Sequence, residues 1–119
     1  MRKSNFRDLQ IWEKSKVLCV DLYRLCQTFP AEERFGLISQ IQRAAVSVPT
    51  NIAEGHGRSS YSEFCRFLFI SLGSAQELET LLIIAFDLGY VDEISTFIDR
   101  LQELNKMISS LISKLKPAT

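Results

Sequence analysis

The chain has 119 residues, 46% hydrophobic and 24% charged, which fits one ordinary globular domain spanning residues 1–119 and excludes disordered and fibrous classes. Fourteen basic side chains balance fourteen acidic ones, so net charge exerts no pull toward nucleic acid or anionic lipid. Three cysteines, Cys19, Cys26 and Cys65, lack metal-ligand spacing and sit among apolar neighbours, so they read as free buried thiols. The start MRKSNFRDLQ lacks the apolar core of a signal peptide, and no stretch is expected to approach the roughly 20 apolar residues of a membrane span. A cytoplasmic protein without membrane contact is the expectation.

From about Leu9 to Gln27, two apolar stripes run at helical spacing: Leu9, Trp12, Cys19, Tyr23, Cys26, and Ile11, Leu18, Leu22, Leu25, Phe29. Such a helix has two faces to bury. The TFPAEE stretch marks a corner, with Pro30 removing a donor and Glu32 and Glu33 suiting a new first turn. The second helix carries Ile38, Ile41, Ala45, Val48 and Ile52 in a heptad-like seam. Pro49 lies inside it, where the unbroken register predicts a kink and not a break. Gly55 and Gly57 are expected to end it.

Ser60 with Glu63 reads as a capping box opening a third helix. Its seam runs through Tyr61, Phe64, Leu68, Leu72, Ala75, Leu78 or Glu79, Leu82 and Phe86, and Gly89 closes it. Asp92 is expected to cap a fourth helix with Ile94, Ile98, Leu101, Leu104 or Asn105, Ile108, Leu111 or Ile112, and Leu115, stopped by Pro117. No segment alternates with period two. Four amphipathic helices with short corners imply an all-α, antiparallel up-down-up-down four-helix bundle.

Gln40, Arg43, Ser47, Asn51 and Glu54 align as one polar strip on the second helix, bordered by Ala44, Val46 and Val48. The third helix offers Ser71, Gly73, Ser74 and Glu77 opposite, and the expected contact is an Arg43–Glu77 ion pair that fixes register. A solvated face is the plain alternative. His56 is the only histidine, so a zinc or di-iron site lacks ligands, and neither metal nor cofactor is expected. A Cys65–His56 pair has no third group to orient the ring, and no enzymatic role is expected. GHGR lacks the strand, spacing and ending of a phosphate loop. Nucleic-acid candidates are Arg2, Lys3, Arg7, Lys14, Lys16 and Arg24 near the start, with Arg58 and Arg66 at the corner between the second and third helices. A small-ligand bundle would need an apolar cavity of several hundred Å3, and Ile-, Leu- and Phe-filled seams favour a closed core.

FRDLQIWEKS, FPAEERFGLISQIQRAAVSVPTNIAEGHGRSS and EFCRFLFISLGSAQELETLLIIAFDLGY together resemble the four-helix bundle family encoded in intervening sequences of 23S ribosomal RNA genes. The family pattern falls on Phe6, Leu9 and Trp12, on Phe29, Pro30, Glu33, Gly36 and Leu37, on Gln40, Arg43, Ser47, Pro49, Asn51, Glu54 and Gly55, and on Phe64, Ser74, Glu77 and Glu79. The resemblance implies a self-partnered homo-oligomer, a homopentameric ring, in which one apolar face of the first helix enters the bundle and the other meets a neighbour. It is distantly similar to the accessory variability proteins of diversity-generating retroelements, which bind a reverse transcriptase and nucleic acid. Those relatives are markedly basic and this chain is neutral. A non-catalytic scaffold is therefore the leading expectation, with an RNA- or DNA-binding ring second and another protein as a further candidate partner.

Overall fold

A computed structural model describes residues 5–116, so Arg2, Lys3 and Pro117 lie outside the described residues. Four helices follow a short 3-10 turn at Phe6–Asp8: α1 Gln10–Cys26, α2 Leu37–His56, α3 Tyr61–Asp87 and α4 Ser95–Leu115. A second 3-10 turn, Ala31–Glu33, lies between α1 and α2. Each helix packs on its sequence neighbours and α1 also meets α4, which closes an antiparallel four-helix bundle 49 Å long. In this square α1 and α3 are diagonal.

The core follows the expected seams except at the two ends of α3, where the expected seam residues Tyr61 and Phe86 are exposed. Leu22, Ile41, Ile52, Leu68, Leu82, Leu101 and Ile108 are completely buried, each removing roughly 1.5–3 kcal/mol of apolar hydration cost. On α1 the second stripe wins: Ile11, Leu18 and Leu22 are buried together with Ser15 and Cys26. Leu9, Trp12 and Cys19 of the first stripe are half-buried against the core edge, while Tyr23 is exposed. Both buried serines are satisfied through helix carbonyls, Ser15 donating to Trp12 O (3.0 Å) and Ser71 to Val48 O (2.9 Å).

Local signals explain the ends. Ser60 accepts from the Glu63 amide at the start of α3, as the capping box requires. Gly89 adopts φ +82, the left-handed turn that stops α3 where a side chain would strain. The start of α2 is held from outside: the Leu37 amide donates to Glu33 Oε1 (3.0 Å), and the Tyr90 hydroxyl donates to Glu33 Oε2 (2.8 Å). One carboxylate thus caps a helix and ties two corners together.

Three expectations need correction. Gly55 does not end α2; it lies inside the helix and is buried, because a Cβ there would meet Phe67 Cβ at 2.7 Å. Pro49, as expected, does not break the helix. Glu93, and not Asp92, serves the start of α4, accepting from the Ser95 amide. The absence of a span-length apolar stretch is overturned by α3: an 18-residue window within Tyr61–Asp87 has mean hydropathy 1.5, long and apolar enough by length and composition to cross a membrane. The cause is a helix apolar on two sides. One side is the buried seam, and the other carries Phe69, Ile70, Ile83 and Ile84 outward.

Candidate interaction surface

The polar strip divides into inner and outer members. Small residues let α2 and α3 approach closely: Ala44, Ala45 and Gly55 on one helix, Ser71 and Ala75 on the other, all buried. At the rim of this contact Ser74 Oγ donates to Ser47 Oγ (2.8 Å). Asn51 Nδ2 donates to the Ser47 carbonyl (2.8 Å) and to its hydroxyl (3.0 Å). Ser47 therefore fastens α2 to α3 through Ser74, and Asn51 holds the Ser47 hydroxyl in place.

Gln40, Arg43, Glu54 and Glu77 instead face solvent. Arg43 and Glu77 sit on level turns yet form no ion pair, which corrects the expected contact. Both side chains are exposed, where an ion pair is worth about 0–1 kcal/mol and must offset the entropy of fixing two long chains. Register is set by the serines and by Gly55. Glu54 is taken by Arg58 (2.9 Å).

The basic candidates are spread widely. Arg7 bonds Asn5 near the N-terminal turn, and Lys14 pairs with Glu103 (3.6 Å) across α1 and α4. Lys16 pairs with Glu13 and Arg24 with Asp21. Arg58 and Arg66 come together at the corner between α2 and α3, both stacked over the Phe67 ring at 4.8 and 4.5 Å. Arg66 also bonds Glu63, whose carboxyl this guanidinium holds below its usual range. His56 packs edge-on to Phe64 (5.8 Å).

Folding sorts charge along the bundle axis in a way the linear chain hides. One end joins the α1–α2 and α3–α4 corners and carries Glu32, Glu33, Asp87, Asp92 and Glu93 against Arg34. The other joins the start of α1, the α2–α3 corner and the end of α4, where Arg7, Lys14, Arg58, Arg66, Lys114 and Lys116 outnumber Asp8, Glu13, Glu54 and Glu63. Antiparallel helices cancel one another's dipoles, so the side chains set this polarity.

Sequence reasoning missed the apolar exterior of α3. Phe69 is 50% exposed, and Ile70, Ile83, Ile84 and Phe86 are also exposed. The outer flank of α1 adds Val17, Val20 and Tyr23, each 40–42% exposed. Isolated exposed apolar residues are ordinary; here they fall in two outward pairs, Phe69–Ile70 and Ile83–Ile84, with exposed Gly73, Gln76, Glu77 and Thr80 between them. The signal was present as Phe69, Ile70, Ile83 and Ile84 falling between seam positions where polar residues are usual.

No catalytic grouping emerges from the candidate thiols. Burial pushes the Cys26 thiol up to about 11 and raises Cys19, which suppresses the reactive thiolate. Cys65 is buried with its sulfur 3.9 Å from the Ile112 carbonyl oxygen. No three metal-ligand side chains cluster among the described residues. A groove of about 240 Å3 runs between α1 and α4, edged by Glu13, Lys14, Val17 and Glu103.

Residues 7–110 match the family model of the 23S rRNA-intervening sequence protein. The chain belongs to this family. A solved structure from the S23 ribosomal protein family of Bacteroides thetaiotaomicron, itself of unknown function, shares 25% sequence identity and superposes with a TM-score of 0.77. The similarity covers 86% of this chain and 97% of that one. No curated protein matches. For this 23S rRNA-intervening sequence family member, the comparisons agree with the bundle and name no reaction.

Proposed function

We propose that this chain is a non-catalytic, cytoplasmic, self-associating bundle that serves as a scaffold for another macromolecule. The observation that carries the reading is the outward apolar residues of α1 (Val17, Val20, Tyr23) and of α3 (Phe69, Ile70, Ile83, Ile84). They lie on diagonal helices, so they point away from each other and cannot satisfy one another within a single chain. Joining the α1 face of one copy to the α3 face of the next is a heterologous contact, which closes into a ring when the rotation fits. A homopentamer is the closure suggested by the resemblance to ring-forming relatives.

The test places charges on the α3 face. Ile70→Glu with Ile84→Glu is expected to reduce the sedimenting particle to a single chain while helical signal is retained, since both side chains are exposed within the subunit. Wild-type chain sedimenting as a monomer at micromolar concentration defeats the reading.

A second reading, binding of RNA or DNA, is favoured by the basic end. Copies arranged side by side would repeat Arg58, Arg66, Lys114 and Lys116 around one rim, adding weak phosphate contacts through effective concentration. An electrophoretic shift with ribosomal RNA fragments that weakens steeply with salt, and is lost on Arg58→Gln with Lys114→Gln, supports it. No shift at physiological salt leaves the scaffold reading alone.

A further inference from the structure

The end of the bundle opposite the basic rim carries its own unexplained feature. Phe35 is 88% exposed, the most exposed large apolar side chain among the described residues. It is not on a loose loop. The Arg34 amide donates to Ala31 O (3.1 Å) and the Gly36 amide to Glu33 O (3.0 Å), bracketing Phe35 in a closed turn. Glu33 then locks that turn to α2 through Leu37 and to the α3–α4 corner through Tyr90. Phe29 packs on the Tyr90 ring from beneath, centroids 5.6 Å apart. The phenyl group is held out in water by a turn fastened on both sides, so little ordering would be needed when it enters a pocket or packs on a chain.

Its surroundings define what would approach. Leu88, 55% exposed, lies at the same end, with exposed carboxylates Glu32, Asp87, Asp92 and Glu93 around the two corners. Of the cations at this end, Arg34 lies over the Phe35 ring, 5.6 Å from its centroid, and Arg24 of the last α1 turn pairs with Asp21. An exposed phenylalanine and an exposed leucine at an end with an excess of carboxylates disfavour polyanions and favour cations.

We infer that the acidic end, anchored by Phe35 and Leu88, is a docking surface for a Lys- and Arg-rich polypeptide segment that carries apolar side chains. This names the chemistry of the scaffold's macromolecular partner and rests on the scaffold reading for that role. The surface lies at the ends of the helices, whereas self-association uses their sides. The two contacts are therefore separable.

The test uses the full chain and a short fluorescein-labelled peptide rich in lysine and arginine with leucine anchors, read by anisotropy. Two control peptides replace the leucines by serine or the basic residues by glutamate. Binding of the cationic leucine peptide, with both controls much weaker, is the expected result. Phe35→Ser should lower affinity at least about tenfold. Glu32→Gln with Asp92→Asn should weaken binding and flatten its salt dependence. These three residues are exposed, and Glu33 and Glu93, which hold helix starts, are left intact. Absence of binding, equal binding of the glutamate peptide, or affinity indifferent to Phe35→Ser overturns the inference. A fall in particle mass on Phe35→Ser also overturns it, because Phe35 would then belong to the contact between copies. Peptide binding by a wild-type chain that sediments as a monomer upholds the docking surface and defeats self-association alone.

Discussion

Gly55 is where the packing of α2 on α3 is most sharply testable. A methyl group there would lie 2.7 Å from Phe67 Cβ, 3.0 Å from Phe64 Cδ1 and 3.2 Å from the Phe64 carbonyl oxygen. Favourable carbon contacts lie near about 3.5–4.0 Å. Phe67 Cβ and Phe64 O are fixed to the α3 backbone and cannot swing aside, so Gly55→Ala must push the helices apart locally. Overpacking of this kind costs about 1–3 kcal/mol. The displacement also stretches the nearby Ser71–Val48 bond, now 2.9 Å, with up to about 1 kcal/mol at stake. Against this, alanine is favoured over glycine inside a helix by about 1 kcal/mol. The net expectation is a loss of up to about 3 kcal/mol, a fall in melting temperature of up to roughly 15 °C for a domain of this size. Thermal and urea unfolding followed by circular dichroism measure it. Gly73→Ala is the calibration, since nothing lies within 4 Å of its new Cβ within the subunit, and it should gain about 0.5–1 kcal/mol. If Gly55→Ala were stabilising to the same extent, the close approach and the register argument built on it would be wrong.

Other consequences follow from single side chains. Glu33 is held ionised below its usual range, first by the Leu37 amide and then by the Tyr90 hydroxyl. Its stabilising effect is therefore complete above the ordinary carboxylate value of 4.5 and is lost as pH falls through the lower folded value. Glu33→Gln should melt below wild type at neutral pH, with the gap narrowing on acidification below about 4; a gap constant with pH would remove the carboxylate from the account. Arg43→Met should change stability by no more than about 0.5 kcal/mol, because its side chain is exposed and forms no ion pair with Glu77; a loss above about 1 kcal/mol in urea unfolding would reinstate a register role. Cys26, buried and with its thiol raised to about 11, should resist Ellman's reagent at pH 8 in the native chain and react fully in denaturant; rapid native labelling at Cys26 by peptide mapping would contradict its burial.

The seams of α2 and α4 were legible because each helix has one apolar side: Ile41, Val48 and Ile52, then Leu101, Leu104 and Ile108, all fall where spacing puts them and all are buried. Ser60 and Gly89 were legible because they act through local backbone geometry. Gly55 was not, since glycine reads as punctuation and only the α3 phenylalanines opposite explain why it continues a helix. Glu33 looked like an ordinary first-turn acid; its double attachment to Leu37 and Tyr90 depends on bringing residues 57 positions apart together. The strip reads as a unit, but three-dimensional level and depth divide it into Ser47, which bonds α3, with Asn51 bonded to it, and solvent-facing members. Charge polarity was hidden for a topological reason. Antiparallel folding mixes the two halves of the chain at each end, so the excess of basic residues in the first half conceals the acidic corner formed by Glu32 with Asp87 and Asp92.

The mass of the native particle tests the central claim most directly. Multi-angle light scattering of the purified wild-type chain across a concentration series should give a mass several times that of one chain, stable on dilution through the micromolar range. A constant single-chain mass would leave the outer faces of α1 and α3 in water, and self-association with the ring built on it would be contradicted.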